Sequence, residues 1–289
     1  MKKQLKQDLN PRKATQSRNN LLKYTILLIA LLLTGGSGYV KWQEYHLSEP
    51  HRLLTKGVKL ESLGRTAEAL GSYRQIITSY SQETVAAEAL YRIARLWQFD
   101  LQDPQQALLK YLQLERDYSD SKNILQAREA AARIVKIDLR DDMQAIGYYH
   151  RLLDSGQGTL DQYLYEIADS YFRLENYSQA RIELENLLAA YSDSPLIPEV
   201  LHRKATILVL ENRIEDAEQV WRRLVEEFPD SGYARRARFS LATVLEEKGE
   251  LDLALEEYRS LQHYPRPLLL EQKIDHLTRR IQNRNEGLE

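Results

Sequence analysis

The sequence predicts an all-α protein in which about six stacked helical hairpins follow a single transmembrane helix. Three observations lead to this fold class. An uncharged apolar run lies near the amino terminus, an alanine-centred pattern repeats through the rest of the chain, and the alternation typical of strands is not found. The 289 residues are 28% charged and 43% hydrophobic. That balance excludes wholesale disorder and a polytopic membrane protein.

The first element is the amino-terminal apolar run. Residues 1–42 contain eight basic side chains and one acidic one, and the 17 residues 24–40 are uncharged. As a helix this run spans roughly 25 Å, which approaches a bilayer core of about 30 Å if Lys23 and Lys41 snorkel. We predict a basic cytoplasmic leader at 1–23, a transmembrane signal-anchor at 24–42 and a linker at 43–50. Upstream basic residues keep the amino terminus cytoplasmic, so the protein is expected to be a single-pass inner-membrane protein with an exported, periplasmic domain.

A cleaved secretory signal is the alternative interpretation of the same segment. Leu27 to Leu33 would then be its apolar region, and Gly36-Ser37-Gly38 its small-residue cleavage site. The basic leader is long for a signal peptide, which favours the uncleaved anchor. Cleavage would instead release a soluble periplasmic protein with a structural or transport-accessory role.

The second helix of each predicted hairpin is marked by an alanine, a large apolar residue four positions later and Leu or Ile three positions after that. Successive alanines are 38, 38, 35, 37 and 37 residues apart. Offsets of four and seven place the three residues on one helical face. The six triplets are Ala69-Tyr73-Ile76, Ala107-Tyr111-Leu114, Ala145-Tyr149-Leu152, Ala180-Leu184-Leu187, Ala217-Trp221-Leu224 and Ala254-Tyr258-Leu261.

The first helix of each hairpin is marked by another small residue, twelve or thirteen positions before each alanine. Small residues allow two helices to approach closely, and one hairpin cannot bury such faces alone. The hairpins should therefore stack on a shared core. These residues are Gly57, Ala94, Ala132, Ala168, Ala205 and Ala242.

These units resemble tetratricopeptide repeats (TPR), most clearly in Leu60-Glu-Ser-Leu-Gly-Arg-Thr-Ala-Glu-Ala-Leu-Gly-Ser-Tyr73 and in the unit that begins Tyr233-Ala-Arg-Arg-Ala-Arg-Phe-Ser-Leu-Ala242. The resemblance covers residues 51–265. It implies a TPR-like superhelix of helical hairpins whose concave groove binds protein or peptide partners.

A narrower resemblance lies in the joint Phe228-Pro-Asp-Ser-Gly-Tyr-Ala234. It is similar to joints in bacterial envelope TPR proteins of the YfgM, YbgF (CpoB) and BamD-like type. The combination of basic leader, single span and repeat array looks most like YfgM. That likeness implies a membrane-anchored scaffold or adaptor that aids assembly or chaperoning of envelope complexes.

Catalytic, cofactor and metal motifs are not found. The six histidines lack metal-site spacing, and neither a Gly-x-Ser-x-Gly elbow nor a phosphate-binding glycine loop occurs. Cysteine is absent, which excludes thiolate metal sites and a lipid-modified cysteine. Residues 43–289 carry a net charge of −9, which disfavours nucleic acid. We therefore expect no enzyme activity, cofactor, nucleic-acid partner or small-molecule substrate.

The candidate binding residues lie on the side of the first helices that lines the groove in TPR proteins. Mixed aromatic and polar side chains suit peptide recognition, although packing between repeats is the alternative role. The candidate set is Tyr91, Arg95, Tyr165, Asp169, Phe172, His202, Thr206, Phe239 and Thr243.

The last element is a helix with one apolar stripe formed by Leu270, Ile274, Leu277 and Ile281. Terminal repeats need a cap with one polar face, so we predict a capping helix at 266–282 and a disordered tail at 283–289. A partner-binding or oligomerising helix is the competing interpretation.

Overall fold

A computed structural model describes residues 49–261 and 264–286 of the chain. Regular structure within these ranges is helical throughout. The helices are α1 at residues 49–62, α2 Thr66–Ser79, α3 Thr84–Arg95, α4 Pro104–Asp117, α5 Ile124–Arg133, α6 Asp142–Asp154, α7 Leu160–Arg173, α8 Tyr177–Ala190, α9 Ile197–Leu210, α10 Ile214–Glu227, α11 Gly232–Glu247, α12 Leu251–Ser260 and α13 Pro267–Asn285.

Both ends of the described chain differ from the predicted boundaries. Residues 49 and 50 are already helical in α1, so the helix includes the end of the predicted linker. At the other end α13 continues to Asn285, so residues 283–285 are helical instead of belonging to a disordered tail. The leader and the predicted span at 24–42 lie outside the described residues. Among the helices described here, none combines the length and apolarity needed to cross a membrane.

The helices belong to two compact units, Met1–Asp100 and Leu101–Glu289. The described part of the first unit contains α1 to α3, and that of the second contains α4 to α13. In the second unit, α5 packs on α6, α6 on α7, and α7 on α8. The same succession continues through α9, α10, α11 and α12. Sequence neighbours are thus neighbours in space, as expected for stacked hairpins.

The small residues that define the repeat lie in the core, as predicted. The pattern alanines of the odd-numbered helices α3 to α11 are buried, and those of the even-numbered helices α2 to α12 are buried completely. Large residues four positions after the even-helix alanines are also buried, with exposures of 0–6%. The periodic triplets therefore identified the helix faces that pack together.

The core of the second unit runs through several hairpins. Tyr171 packs against a cluster built from α5, α6 and α7 and against another built from α7 to α11. Helix α11 contributes Ala237 and Val244 to the second cluster and Ala242 to a third one near the carboxyl end. These shared residues join neighbouring hairpins, as expected if stacking completes each apolar face.

One turn conformation recurs between each odd-numbered helix and the even-numbered helix that follows. The residue five positions before the even-helix alanine has a left-handed backbone in all six turns. Glycine occupies the first and last of these positions, whereas four other turns place a side chain there. The φ angles are 69° at Gly64, 52° at Gln102, 54° at Arg140, 58° at Glu175, 58° at Asn212 and 80° at Gly249.

Two odd-numbered helices end in a π-helical turn. Helix α3 continues as Leu96–Asp100 and α5 as Ile134–Asp138. These are the two places where the small residues are 13 positions apart, from Ala94 to Ala107 and from Ala132 to Ala145, and elsewhere the spacing is 12. A π turn accommodates one additional residue in a helix. The π turn thus accommodates the extra residue before the chain reverses, and the two alanines of each hairpin stay in the core.

Helix α13 lies against the third core cluster. Leu277 is fully buried, and Leu270, Ile274 and Ile281 pack around it on residues of α11 and α12. Glu246 of α11 accepts a hydrogen bond from Lys273 Nζ at 2.8 Å and lies 3.6 Å from Arg280 Nη1. The predicted apolar stripe is thus the face that contacts the preceding hairpin, and charges on α13 flank it.

Candidate protein-binding site

The predicted site residues occupy equivalent positions on four odd-numbered helices. They lie three before, one after or four after the buried alanine of their helix. Tyr91 and Arg95 are on α3 in the first unit, and the other seven are on α7, α9 and α11 in the second. In the second unit, we use the name odd-helix face for the side of α5, α7, α9 and α11 on which these positions lie.

In the first unit, Arg95 is exposed and its guanidinium carbon lies 5.8 Å from the centre of the Phe99 ring. Tyr91 is partly buried one turn earlier. The neighbouring Arg92 pairs with Glu61 of α1 at 3.1 Å and with Glu88 of its own helix at 2.7 Å. This region of the first unit therefore carries both an exposed cation and a fixed ion-pair cluster.

Tyr165 is the most buried of the predicted residues, with 8% of its surface exposed. Its hydroxyl donates a hydrogen bond to Glu199 Oε1 of α9 at 2.6 Å. Burial and this bond to a carboxylate raise the pKa of Tyr165. The ring therefore packs between α7 and α9, and Tyr165 contributes to the site by holding Glu199 in place.

Asp169 joins three helices. One carboxylate oxygen lies 2.9 Å from Lys136 Nζ of α5, and the other lies 3.1 Å from Arg203 Nη2 of α9. Lys136 is nearly buried and also donates to Glu166 Oε2 at 2.6 Å and to the Glu166 carbonyl oxygen at 3.1 Å. Charge-assisted hydrogen bonds of this kind fix side-chain geometry. The odd-helix face thus has an ordered polar network.

Aromatic rings lie beside that network. The Arg203 guanidinium carbon is 4.7 Å from the centre of the partly buried Phe172 ring. The His202 ring is 5.6 Å from the Tyr233 ring of α11, and Arg236 lies over the same tyrosine at 5.4 Å. Arginine on an aromatic face is a cation–π arrangement. Phe172 and His202 are therefore brought together with two arginines absent from the predicted set.

The electrostatic surroundings of His202 are asymmetric. Burial lowers its pKa below the ordinary value of 6.5, and Arg236 and Arg203 lower it further. Glu199 opposes this shift, without reversing it. The imidazole is therefore neutral at pH 7, where it offers one donor and one acceptor.

Thr206, Phe239 and Thr243, the remaining predicted residues of the second unit, contact their own helix or the helices near the carboxyl end. Thr206 donates from its hydroxyl to the His202 carbonyl oxygen at 2.9 Å. Phe239 stacks on Tyr264 with ring centres 4.6 Å apart, and Thr243 Oγ1 lies 2.8 Å from the Tyr258 hydroxyl. Phe239 and Thr243 thus form part of the packing near α13, which sets them apart from the α7–α9 group.

Sequence reasoning missed the residues that organise this face. Lys136 lies four positions after Ala132, the same offset that selected Phe172 on α7, so the pattern could have included α5. The others lie at offsets that the pattern did not use, and only tertiary contacts reveal them. The missed residues are Lys136, Glu166, Glu199, Arg203, Tyr233 and Arg236. In the described part of the chain, no three His, Asp or Glu side chains form a group that could hold a metal ion.

Comparisons with known proteins agree with this architecture. One tetratricopeptide repeat family model matches residues 165–232 and 202–266, and a second matches residues 88–121. These matches support the TPR assignment of the helical hairpins. A search of curated proteins returned no match to the sequence.

Solved structures share the helical-repeat fold. A tetratricopeptide repeat protein from Parabacteroides merdae ATCC 43184 aligns with 80% of this chain and 99% of its own, at 14% identity and a TM-score of 0.51. The structure of Naa15/Naa10 bound to HypK-THB aligns at 18% identity and a TM-score of 0.56. That alignment covers 92% of this chain and 39% of the other. At these identities the likeness concerns the fold.

Proposed function

We propose that the protein is a non-catalytic TPR scaffold or adaptor that binds a protein partner or peptide segment through a concave groove, which we assign to the odd-helix face. The observation that carries this proposal is the group formed by Phe172, His202 and Arg203. These side chains are partly exposed, yet Asp169 holds the arginine and Tyr233 contacts the imidazole.

Pre-positioned side chains of this composition favour binding. Aromatic residues and arginine contribute most strongly to protein interfaces because they combine contact area with directional bonds. A side chain already held by its neighbours loses little conformational entropy when a partner arrives. Other predicted groove residues, Tyr91 and Arg95, would serve the same role in the first unit.

A membrane location is the second part of the proposal. The apolar segment at 24–42 would anchor the chain, with a cytoplasmic amino terminus and the repeats in the periplasm. Tethering would raise the local concentration of the binding face near envelope complexes, where it would aid assembly or chaperoning. This role follows from the resemblance to envelope TPR proteins of the YfgM, YbgF and BamD-like type.

A photo-reactive amino acid at position 172 or 202 tests the binding face in intact cells. The matched control is position 143, because Met143 on α6 is 67% exposed and lies outside the odd-helix face. We expect adducts with a partner from positions 172 and 202 and none from 143. Adducts from position 143 alone would exclude the odd-helix face as the binding site.

Amino-terminal sequencing of the membrane-fraction protein tests the anchor. An uncleaved anchor leaves the basic leader attached to the mature chain. A mature chain that starts near Tyr39, recovered in the soluble periplasmic fraction, would instead support the cleaved alternative, which the Gly36-Ser37-Gly38 segment favours.

A further inference from the structure

Two arginines on the odd-helix face lie close to the centres of aromatic rings. Arg203 lies over Phe172 at 4.7 Å, and Arg236 lies over Tyr233 at 5.4 Å. We call Arg203 and Arg236 the arginine pair. They belong to neighbouring odd-numbered helices, α9 and α11, and His202 has electrostatic contact with both. An arginine beside an aromatic ring still carries N–H groups that can donate to a ligand.

The nearby carboxylates already have partners. Asp169 is shared between Lys136 at 2.9 Å and Arg203 at 3.1 Å. Glu199 accepts a hydrogen bond from the Tyr165 hydroxyl at 2.6 Å. The pKa of Tyr233 is raised, mainly by burial and then by a hydrogen bond to Glu199. The acidic groups of the face are therefore engaged within the chain.

The arginine pair retains unused hydrogen-bond donors. Both hydrogen bonds of Arg203, to Asp169 and to the Tyr165 hydroxyl at 3.5 Å, use the single nitrogen Nη2. Arg236 is exposed and forms no ion pair with any carboxylate among residues 49–261 and 264–286. Since a guanidinium carries five N–H donors, this pair offers several more than its neighbours accept.

The local field has the same sign as these donors. Arg236 and Arg203 both lower the pKa of His202, whereas Glu199 acts in the opposite direction and raises it. Residues 43–289 as a whole carry a net charge of −9. The net negative charge of the domain disfavours a generally acidic ligand, whereas the donors of the arginine pair favour a carboxylate at this one position.

We propose that the arginine pair binds an acidic side chain, Asp or Glu, of an extended partner segment whose apolar neighbours lie on Phe172, His202 and Tyr233. This inference rests on the proposed function and specifies the chemistry of the partner. A carboxylate can accept two parallel N–H bonds from one guanidinium, which gives both direction and strength. A single acidic residue flanked by apolar ones matches the face better than a polyanion does, since the surrounding domain is negative.

Fluorescence anisotropy with the full chain in a nonionic detergent tests the proposal. The probes are two labelled peptides of equal length that differ at one central position, which is Glu in one and Gln in the other and is flanked by Leu in both. We expect the Glu peptide to bind about tenfold more tightly at low ionic strength, as hydrogen bonds to a charged group would give. Added salt should reduce that preference.

Variants locate the effect. Arg236→Gln should remove most of the preference for the Glu peptide over the Gln peptide. Arg236→Glu should make the Gln peptide the better ligand. The matched control is Arg223→Gln on α10, whose exposed side chain pairs with Glu227 at 2.8 Å, and it should bind both peptides as the unmodified chain does. Thermal unfolding of each variant checks that the fold is retained.

Three results would overturn the proposal. They are equal binding of both peptides, no binding of either, or tighter, Arg236-dependent binding of a single-stranded RNA of the same length. In each case cross-linking at positions 172 and 202 still decides the proposed function separately. Cross-links without a preference for the Glu peptide would retain the odd-helix face as a binding site and reject only the acidic partner.

Discussion

At the scale of single residues, Lys136 is the least expected feature of the second unit. Its side chain is 4% exposed and its charge is balanced by Glu166 and Asp169. A buried ammonium is tolerated only where paired carboxylates and hydrogen bonds offset its desolvation. Lys136 thereby ties α5 to α7, and through Asp169 it also orients Arg203 on α9.

Replacing Lys136 with Met should therefore destabilise the chain. The substitution removes the cation that pairs with Glu166 and one of the two cations that pair with Asp169, and we expect the free energy of unfolding to fall by about 2 kcal/mol after allowing for solvent screening. Chemical denaturation measures the change. The control is Lys248→Met, which removes an exposed pair with Glu218 and should cost less than about 0.5 kcal/mol. Equal effects of the two substitutions would contradict the structural role of Lys136.

His202 makes stability depend on pH in a specific direction. Because its pKa in the folded chain lies below the ordinary 6.5, protonation favours the unfolded state. The neutral imidazole is fully compatible with folding above pH 6.5, and stability is lost as the pH falls from there toward the folded-state pKa. The drop in Tm between pH 7.5 and 5.5 should therefore be smaller in His202→Gln than in the unmodified chain. An identical drop in both would refute this assignment.

At the scale of elements, the turns show where local conformation is strained. Glu175 has φ of 58° at the position that Gly249 occupies with φ of 80° in the last turn. Side chains other than Gly and Asn adopt this conformation at a cost of about 1 kcal/mol. The repeat thus tolerates a strained residue in the middle turns, whereas glycine relieves it at Gly64 and Gly249.

Exchanging these residues should move stability in opposite directions. We expect Glu175→Gly to stabilise the fold by about 0.5–1 kcal/mol and Gly249→Ala to destabilise it by about 1 kcal/mol. A methyl group at Gly249 would meet no atom within 4 Å, so its cost would come from the backbone alone. Asn212→Gly should change stability less, since asparagine tolerates this conformation. Denaturant midpoints of the three variants measure the order, and the reverse order would contradict it.

The π-helical turn in α5 permits a test by deletion. Removing Ile137, an exposed residue of this turn, shortens the spacing from Ala132 to Ala145 to the 12 positions used by four other hairpins. We expect the chain to keep a cooperative unfolding transition with a small change in stability. Removing Arg173 from α7 leaves 11 positions before Ala180 and should cost several kcal/mol, about that of a buried Leu→Ala change, because both alanines cannot then stay buried. Similar losses from both deletions would show that the spacing is not what the π turn adjusts.

At the scale of the whole molecule, sequence reasoning was most effective where packing repeats. Every alanine in the periodic pattern is buried, because each hairpin packs its two helices together at the same positions. The 13-residue spacings were visible in the sequence, yet the π turns that produce them were not inferred. Ion pairs such as Lys136–Asp169 escaped prediction because they join residues more than 30 positions apart whose side chains follow no period. The same reason explains why Tyr165 is more buried than its position in the pattern suggested.

Helix α13 allows the stacking principle to be tested over a whole unit. A chain that ends after Arg266 would expose the surface now covered by Leu277 and leave Glu246 without Lys273 and Arg280. Burial of the stripe contributes several kcal/mol, about 1.5–3 for each fully buried side chain. In a linear stack this loss is local, since each repeat interacts mainly with its neighbours. Hydrogen exchange should therefore show α11 and α12 losing protection while α5 to α8 retain it. Unchanged protection in α11 and α12 would favour a partner-binding role for α13 over capping, and a uniform loss through the second unit would contradict local stacking.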